Sequence, residues 1–402
     1  MLRKIPRTRI STPSNFLEII KHLFFSVHND EAVNEFEEKF AEYIKVKNVI
    51  ATSSGKLSLY LILNSLNLDK NDEIILPAYT SVSVPNVIMS SNLTPVFTDI
   101  SHKTLNINEN LIGNKVTIKT RCILPTHIYG QPCEMNRIMK IAKKHNLYVI
   151  EDCAHACGSE YNGKKVGSVG DFGFFSFGFG KHISTLGGGA ITTNNDYVAE
   201  QIRKKIKKFK KPSNFELLKK IFRAYIIKFF TYPDVFSFTL YPFILFFGSE
   251  TITKIFEENT RLMKNLPSNC VRKFSDFQAI IGVKEISRLD DRNNERIKNA
   301  ELYTKHLKSI INIQDTLPRT KSAYLNYAIL VDYRKDVIKK MIKNGVDTQR
   351  TWMKNCSSLE ISNNFKNDCP VSEEVAKKVI YLPLYPELNK SEILKIVDVL
   401  KS

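Results

Sequence analysis

Over roughly the first half of the chain, short continuous apolar runs alternate with stretches whose apolar positions recur every three to four residues. The runs NVIATSS, DEIILPAYT, TPVFTDI, TRCILPTHIYG, LYVIEDCAHACG, DFGFFSFG and GGGAITTN read as strands, and GKLSLYLILNSL and EMNRIMKIAKKHN as helices. Apolar runs bounded by turn residues are what strands covered on both faces show. Repeated strand–helix alternation predicts an α/β domain with a mostly parallel sheet. In such sheets ligands bind outside the carboxyl ends of the strands, so candidate chemistry is sought there.

The texture changes after about residue 270. SDFQAIIGVKEISRLDDRNNERIKNAELYTKHLKSI reads as one long amphipathic helix. YLNYAILV follows as a strand, KKMIKNGVDTQR as a helix running into a turn, YLPLYPEL as an extended piece and SEILKIVDVL as a closing helix. Between the two patterns lies KKIFRAYIIKFFTYPDVFSFTLYPFILFFG, dense in Phe, Tyr and Ile and broken by Pro233 and Pro242. It holds no run of the roughly 20 apolar residues a membrane-spanning helix needs. The chain therefore divides into 1–205, a large α/β domain; 206–262, an aromatic-rich segment; and 263–402, a smaller α+β domain.

Composition narrows the function only slightly. The chain has 402 residues, 43% hydrophobic and 25% charged, as in ordinary soluble globular proteins. The formal net charge of +18 favours anionic partners such as phosphorylated substrates or a membrane surface. No nucleic-acid motif accompanies it, so no nucleic-acid partner is expected. The basic MLRKIPRTRI is not followed by an apolar core, so no secretory signal is expected. Seven scattered cysteines suit free thiols in a reducing, cytoplasmic setting. Cys153 and Cys157 flank His155, but the spacing fits no zinc pattern, and no metal is expected.

The candidate chemistry centres on FSFGFGKHISTLGGGAI, in which Lys181 sits in a small, apolar, backbone-dominated loop that solvates an ammonium poorly. Asp152 ends a buried strand, where a carboxylate is desolvated unless it meets a cation. Alone it reads equally as a helix cap or a structural ion pair. With Lys181 it matches a pyridine-aldehyde cofactor, which needs a lysine for a Schiff base and a carboxylate to keep the ring nitrogen protonated. SSGK at 53–56 turns from strand into helix and would offer N–H groups to a phosphate, with the Ser176 hydroxyl near Lys181 in sequence.

These residues, with SSGKLSLYL, ILPAYTSVSV, TPVFTDI, PTHIYGQP, IEDCAHACGS, VGSVGDFGFFSF, GGGAITTN, SDFQAIIGVKEISRLD and YLPLYPEL in that order, resemble the pyridoxal-phosphate-dependent sugar aminotransferases of the DegT/DnrJ/StrS type. The resemblance covers nearly the whole chain. It implies the aspartate-aminotransferase-like fold type I, with a seven-stranded, mixed but mostly parallel sheet. It implies pyridoxal 5'-phosphate, with Lys181 as the Schiff-base lysine, Asp152 on the pyridine nitrogen, His155 near the cofactor hydroxyl, and Ser176, Gly55 and Lys56 on the phosphate. Freed by the substrate amine, Lys181 would move a proton between two carbons, and its apolar setting would keep it neutral. Three positions depart from the family pattern. Lys56 replaces a usual Thr. Ser81 stands where an aromatic usually stacks on the pyridine, so Tyr79 takes that expectation. The stretch VRKFSDFQA replaces Asn-Tyr-Arg before the helix, so Arg272 or Lys273, or less directly Asn269, would reach a partner subunit's phosphate.

The implied activity is amination of a nucleotide-linked keto-sugar, with an amino-acid donor such as glutamate, by a homodimer serving glycan biosynthesis. A dehydratase of the same family carries His in place of the lysine, and His182 is one residue away. A non-catalytic membrane-binding relative is the reading from another class. The segment 206–262 exceeds the usual family length and reads either as an extra helical pair packed on the enzyme or as peripheral contact with the inner membrane face through 221–248.

Overall fold

The computed structural model describes residues 3–10, 23, 30–248, 266–267, 270–365 and 368–402. Seven strands form the central sheet: Asn48–Thr52 (β1), Glu73–Pro77 (β2), Thr94–Thr98 (β3), Thr120–Ile123 (β4), Tyr148–Asp152 (β5), Phe172–Ser176 (β6) and Gly189–Thr193 (β7). Their order is β1-β7-β6-β5-β4-β2-β3, and only β7 runs against its neighbours. The mostly parallel α/β sheet expected from the apolar runs is thus present.

Alternate residues of each strand enter different cores, as a period of two requires. Ile50, Ile150, Phe174 and Ile191 join a core with Leu57, Leu59 and Ile62 of helix Gly55–Leu63 (α2, which follows α1, Glu31–Ile44). Val49, Ala51, Phe175 and Ala190 face Phe36 and Phe40 of α1. Ile75, Ile123 and Val149 complete a third core with Met135 and Ile138 of Met135–His145, a helix on the same side as α1 relative to β5. Both faces are covered, which is why no strand shows a polar alternation.

Residues 312–382 supply a second, antiparallel sheet of four strands: Asn312–Ile313, Tyr327–Leu330, Gln349–Arg350 and Val379–Leu382. The long helical pattern after residue 275 is two helices, not one: Asp276–Ile286 (α3) and Leu289–Leu307 (α4). The first buries Phe277 and Ile281 against the large domain, and the second buries Ala300, Tyr303 and Leu307 against the small one. A single straight helix could not serve both cores.

The aromatic-rich segment is helical over its described part: Asn214–Phe230 (αA), Pro233–Phe238 (αB) and Leu240–Phe247 (αC). Residues 249–262 lie outside the described residues. A capping box of Ser213 and Glu216 opens αA, and Pro233 sits in the first turn of αB, where its missing N–H costs nothing. Leu217, Ile221 and Ala224 of αA pack on Leu186, Phe277 and Ile281, with Phe179 at the edge. Phe236, Tyr241 and Ile244 pack on Ile342 of the small domain, and Tyr241 OH donates to the Ile342 carbonyl at 2.8 Å. The segment is thus a strap that packs on Leu186 and Phe277 at one end and on Ile342 at the other. Among the described residues, no helix is long and apolar enough to cross a membrane.

Candidate active site

β5 ends at Asp152, and the next strand end beside it is Ser176, because Asp152 pairs with Phe174 in parallel register. β6 in turn pairs Ser176 with Gly189. α2 starts against this edge. A Cβ on Gly55 would lie 3.1 Å from Ser176 Cβ and 3.3 Å from the Phe175 carbonyl, and one on Gly189 would lie 2.7 Å from Gly55 N. Glycine at both places lets three backbone segments converge where side chains would hold them apart. Ser54 caps α2, its Oγ accepting from Leu57 N–H at 3.2 Å, and the helix opens at Gly55 and Lys56. A helix start leaves its first N–H groups without intrahelical acceptors and carries partial positive charge.

Asp152 is buried, and its Oδ1 accepts from Ala154 N–H at 3.0 Å. Burial pushes its carboxyl above the usual carboxylate range, against the opposing pull of Ala154 N–H, the Lys181 charge, His127 and Thr126. Lys181 is half-buried in the loop after β6, its N–H donating to the Gly178 carbonyl at 3.3 Å. Its charge also helps hold His155 neutral: burial is the largest cause, then Lys181 and His182. The His155 ring stacks on Tyr129 at 6.0 Å between centroids, and Tyr129 N–H approaches His155 Nδ1 at 3.5 Å. The structure therefore brings Asp152, His155 and Lys181 within electrostatic reach, with Ser176 and Gly55 in contact on the adjoining strand end.

Pyridoxal phosphate fits this donor set. A desolvated carboxylate with a raised pKa suits a cationic ring nitrogen, which would restore its charged form. The glycine-lined junction of Gly55 and Ser176, at a helix start, suits a phosphate. An amine on a loop packed by Phe177 and Ile183 suits an aldehyde.

Other expected residues fall differently. Tyr79 is fully buried, with its hydroxyl 2.5 Å from Tyr129 OH and 3.2 Å from Thr351 Oγ1. Its ring meets that of Tyr129 edge-on, at 6.4 Å between centroids, and Tyr129 in turn stacks on His155. Arg272 pairs with Glu216 of αA at 3.7 Å, and Lys273 N–H donates to the Lys210 carbonyl. Asn269 lies outside the described residues. Within this one chain the stretch already lies near the turn, since Ser53 Oγ donates to the Cys270 carbonyl. His182 is buried away from Lys181's role: its ring nitrogens meet Asn293 Oδ1 at 2.9 Å and the His155 carbonyl at 3.1 Å.

Sequence reasoning passed over the buried pair behind Asp152. His127 Nε2 meets Glu151 Oε2 at 3.0 Å, while Glu151 Oε1 accepts from Val169 and Gly170 N–H, each at 2.8 Å. His127 Nδ1 accepts from Cys133 N–H, which leaves Nε2 the donor to Glu151. The signal was present: adjacent Glu151 and Asp152 on one strand face opposite sides of the sheet, so each needs its own partners. Cys153 lies beside this pair, its Sγ within 4.8 Å of ligand atoms of His127 and Glu151, and burial raises the pKa of its thiol, as it does that of Cys157.

The chain matches the model of the DegT/DnrJ/EryC1/StrS aminotransferase family over residues 14–225 and 244–401. It is 29% identical to a dTDP-3-amino-3,6-dideoxy-alpha-D-galactopyranose transaminase of Aneurinibacillus thermoaerophilus, over 91% of this chain and 88% of that protein. The sugar aminotransferase CalS13 of Micromonospora echinospora has the same fold, with a TM-score of 0.79 and 18% identity over 99% of each chain. So does a GDP-4-keto-6-deoxy-D-mannose-3-dehydratase of E. coli, solved with bound hydrated pyridoxal phosphate, with a TM-score of 0.78 and 20% identity over 100% of each chain. The fold alone thus accommodates both chemistries. Together with the Asp152, Ser176 and Lys181 arrangement, the family match makes this chain a member of the DegT/DnrJ/EryC1/StrS aminotransferase family of pyridoxal-phosphate-dependent sugar aminotransferases.

Proposed function

We propose that the enzyme transfers an amino group from glutamate to a nucleotide-linked keto-sugar, making an amino sugar for polysaccharide or other glycan assembly. The observation that carries this reading is an amine, Lys181, half-buried in the loop that leaves β6, the strand paired in parallel with the one that ends at the buried Asp152. Bound pyridoxal phosphate supplies an electron sink that makes a C–H bond beside the amino nitrogen acidic. Asp152 holds the ring nitrogen in its cationic form. Ser176 Oγ and the N–H groups of Gly55 and Lys56 hold the phosphate. His155, neutral because it is buried beside Lys181, offers an uncharged hydrogen-bonding ring near the cofactor hydroxyl. Lys181 Nζ takes the proton from one carbon and returns it to the other, which requires the amine to be uncharged at one stage.

Lys181 separates this reading from the dehydratase one. His182 cannot replace it from its buried position against Asn293, where burial first and Arg296 next push its ring down to about 3. The same reading makes the protein a cytoplasmic homodimer, with peripheral membrane contact through 221–248. A panel of nucleotide keto-sugars with glutamate, read by mass spectrometry, tests it. Glutamate-dependent gain of an amino group is expected. Loss of a sugar hydroxyl without nitrogen gain would establish the dehydratase instead.

A further inference from the structure

αA has two unlike faces. Leu217, Ile221 and Ala224 are buried on the loop that carries Lys181 and on α3. Phe215, Phe222, Ile226 and Phe229 recur at helical spacing on the opposite face and are exposed. αB and αC add Phe238, Leu245, Phe246 and Phe247, with Phe246 85% exposed. Of the fifteen large apolar side chains exposed among the described residues, ten lie between 215 and 247, so exposed apolarity is concentrated on these three helices. A groove of about 620 Å³ lies along αA, lined by Phe215, Leu218, Lys219, Phe222, Arg223 and Ile226.

Charge identifies the occupant. Residues 203–230 hold eleven Lys and Arg and one acid, Glu216; Arg203, Lys204 and Lys211 pair with Glu37, Glu200 and the Asp30–Asp276 couple, while Lys207, Lys208, Lys210 and Lys219 are exposed. A second copy would bring this patch against itself in a two-fold dimer, setting like charges face to face. An anionic bilayer meets both features: rings settle at the headgroup level and ammonium groups reach lipid phosphate. The family match is interrupted over 226–243, so the end of αA, all of αB and the start of αC lie outside the matched family frame. We infer that the outer face of αA, αB and αC docks the enzyme on an anionic lipid bilayer, while the inner face of αA backs the Lys181 loop. This refines the membrane contact within the functional reading but stands on the surface alone, so it survives if the substrate assignment fails.

The test is flotation of the full chain with vesicles of phosphatidylcholine alone or mixed with phosphatidylglycerol. Binding to the mixed vesicles is expected, falling as salt rises. The combined change Phe229→Glu, Phe238→Glu and Phe246→Glu is expected to cut the bound fraction by at least about tenfold, because each ring loses its apolar contact with lipid. The combined change Lys207→Glu, Lys208→Glu and Lys210→Glu, which leaves the apolar face intact and guards against misfolding of the first variant, is expected to cut it by about the same factor. Both variants should keep wild-type circular dichroism and turnover in solution. Failure of the folded wild type to float with mixed vesicles overturns the inference. So does flotation unchanged by both variants, or a fall in molar mass of the aromatic variant by light scattering, which would make the face a contact between copies.

Discussion

The sheet end at Asp152 and the helical strap at 214–247 are both written in apolar sequence, yet they use it in opposite ways. At the sheet end, apolar residues seal a small number of polar groups away from water. Asp152, His155 and His182 are all buried there, and their protonation is set by that burial. On the strap, only the inner stripe of αA and a few residues of αB and αC are covered, and the rest of the rings face outward. Buried polarity marks the chemistry, and exposed apolarity marks a surface that something else covers.

The sharpest way to break the contrast is at Lys181. Lys181→Ala should lower turnover by at least about 10³-fold, since it removes the proton carrier, while leaving the melting temperature nearly unchanged. Steady-state kinetics and thermal denaturation check both halves; turnover near wild type would remove Lys181 from the chemistry. Two isoleucines of αA sharpen the strap's two-sidedness. Ile221→Ala on the inner face should cost about 2–5 kcal/mol, and Ile226→Ala on the outer face no more than about 0.5 kcal/mol, by urea unfolding. Equal costs would mean that αA has no free face.

Ser176→Ala should weaken pyridoxal phosphate binding by about tenfold or more, because a hydrogen bond to a charged group is lost, and equilibrium dialysis measures it. The contrast also has a pH dependence. His182 titrates near 3 when folded and near 6.5 when unfolded, so between those values the unfolded chain binds the extra proton. Stability is then lost as pH falls below about 6.5, by up to about 1.4 kcal/mol per pH unit for this one group. His155 acts in the same direction, and the raised Asp152 carboxyl in the opposite one at lower pH. His182→Asn, which keeps a polar group against Asn293, should flatten the slope of melting temperature between pH 6.5 and 5 relative to wild type.

Most of the large domain was legible because its strands are local events. A run such as YVIED between turn residues is a buried strand whatever surrounds it, and its last residue falls at the carboxyl edge where ligands bind. The adjoining of Asp152 and Ser176 was not legible, because parallel register is a contact between distant segments. Tyr79 shows the limit. Its place after β2 is a local matter, whereas the cluster of Tyr129, Thr351 and Tyr381 that its hydroxyl joins depends on residues far along the chain. The long helix after 275 shows it again: helical period continues through Ser287 and Arg288, while the need to fill two separate cores decides the break.

By itself the sequence determined the alternation of strands and helices, the residue types at the strand ends and the strap's composition, since each follows from periodicity and propensity along a few adjacent residues. Only the tertiary structure decided which of these meet. It set Lys181 near Asp152, closed Gly55 on Ser176, paired His127 with Glu151, and turned one face of αA to the Lys181 loop and left the other outside. The physical reason is that period assigns a residue to a face, whereas close packing between segments far apart in the chain chooses what that face touches.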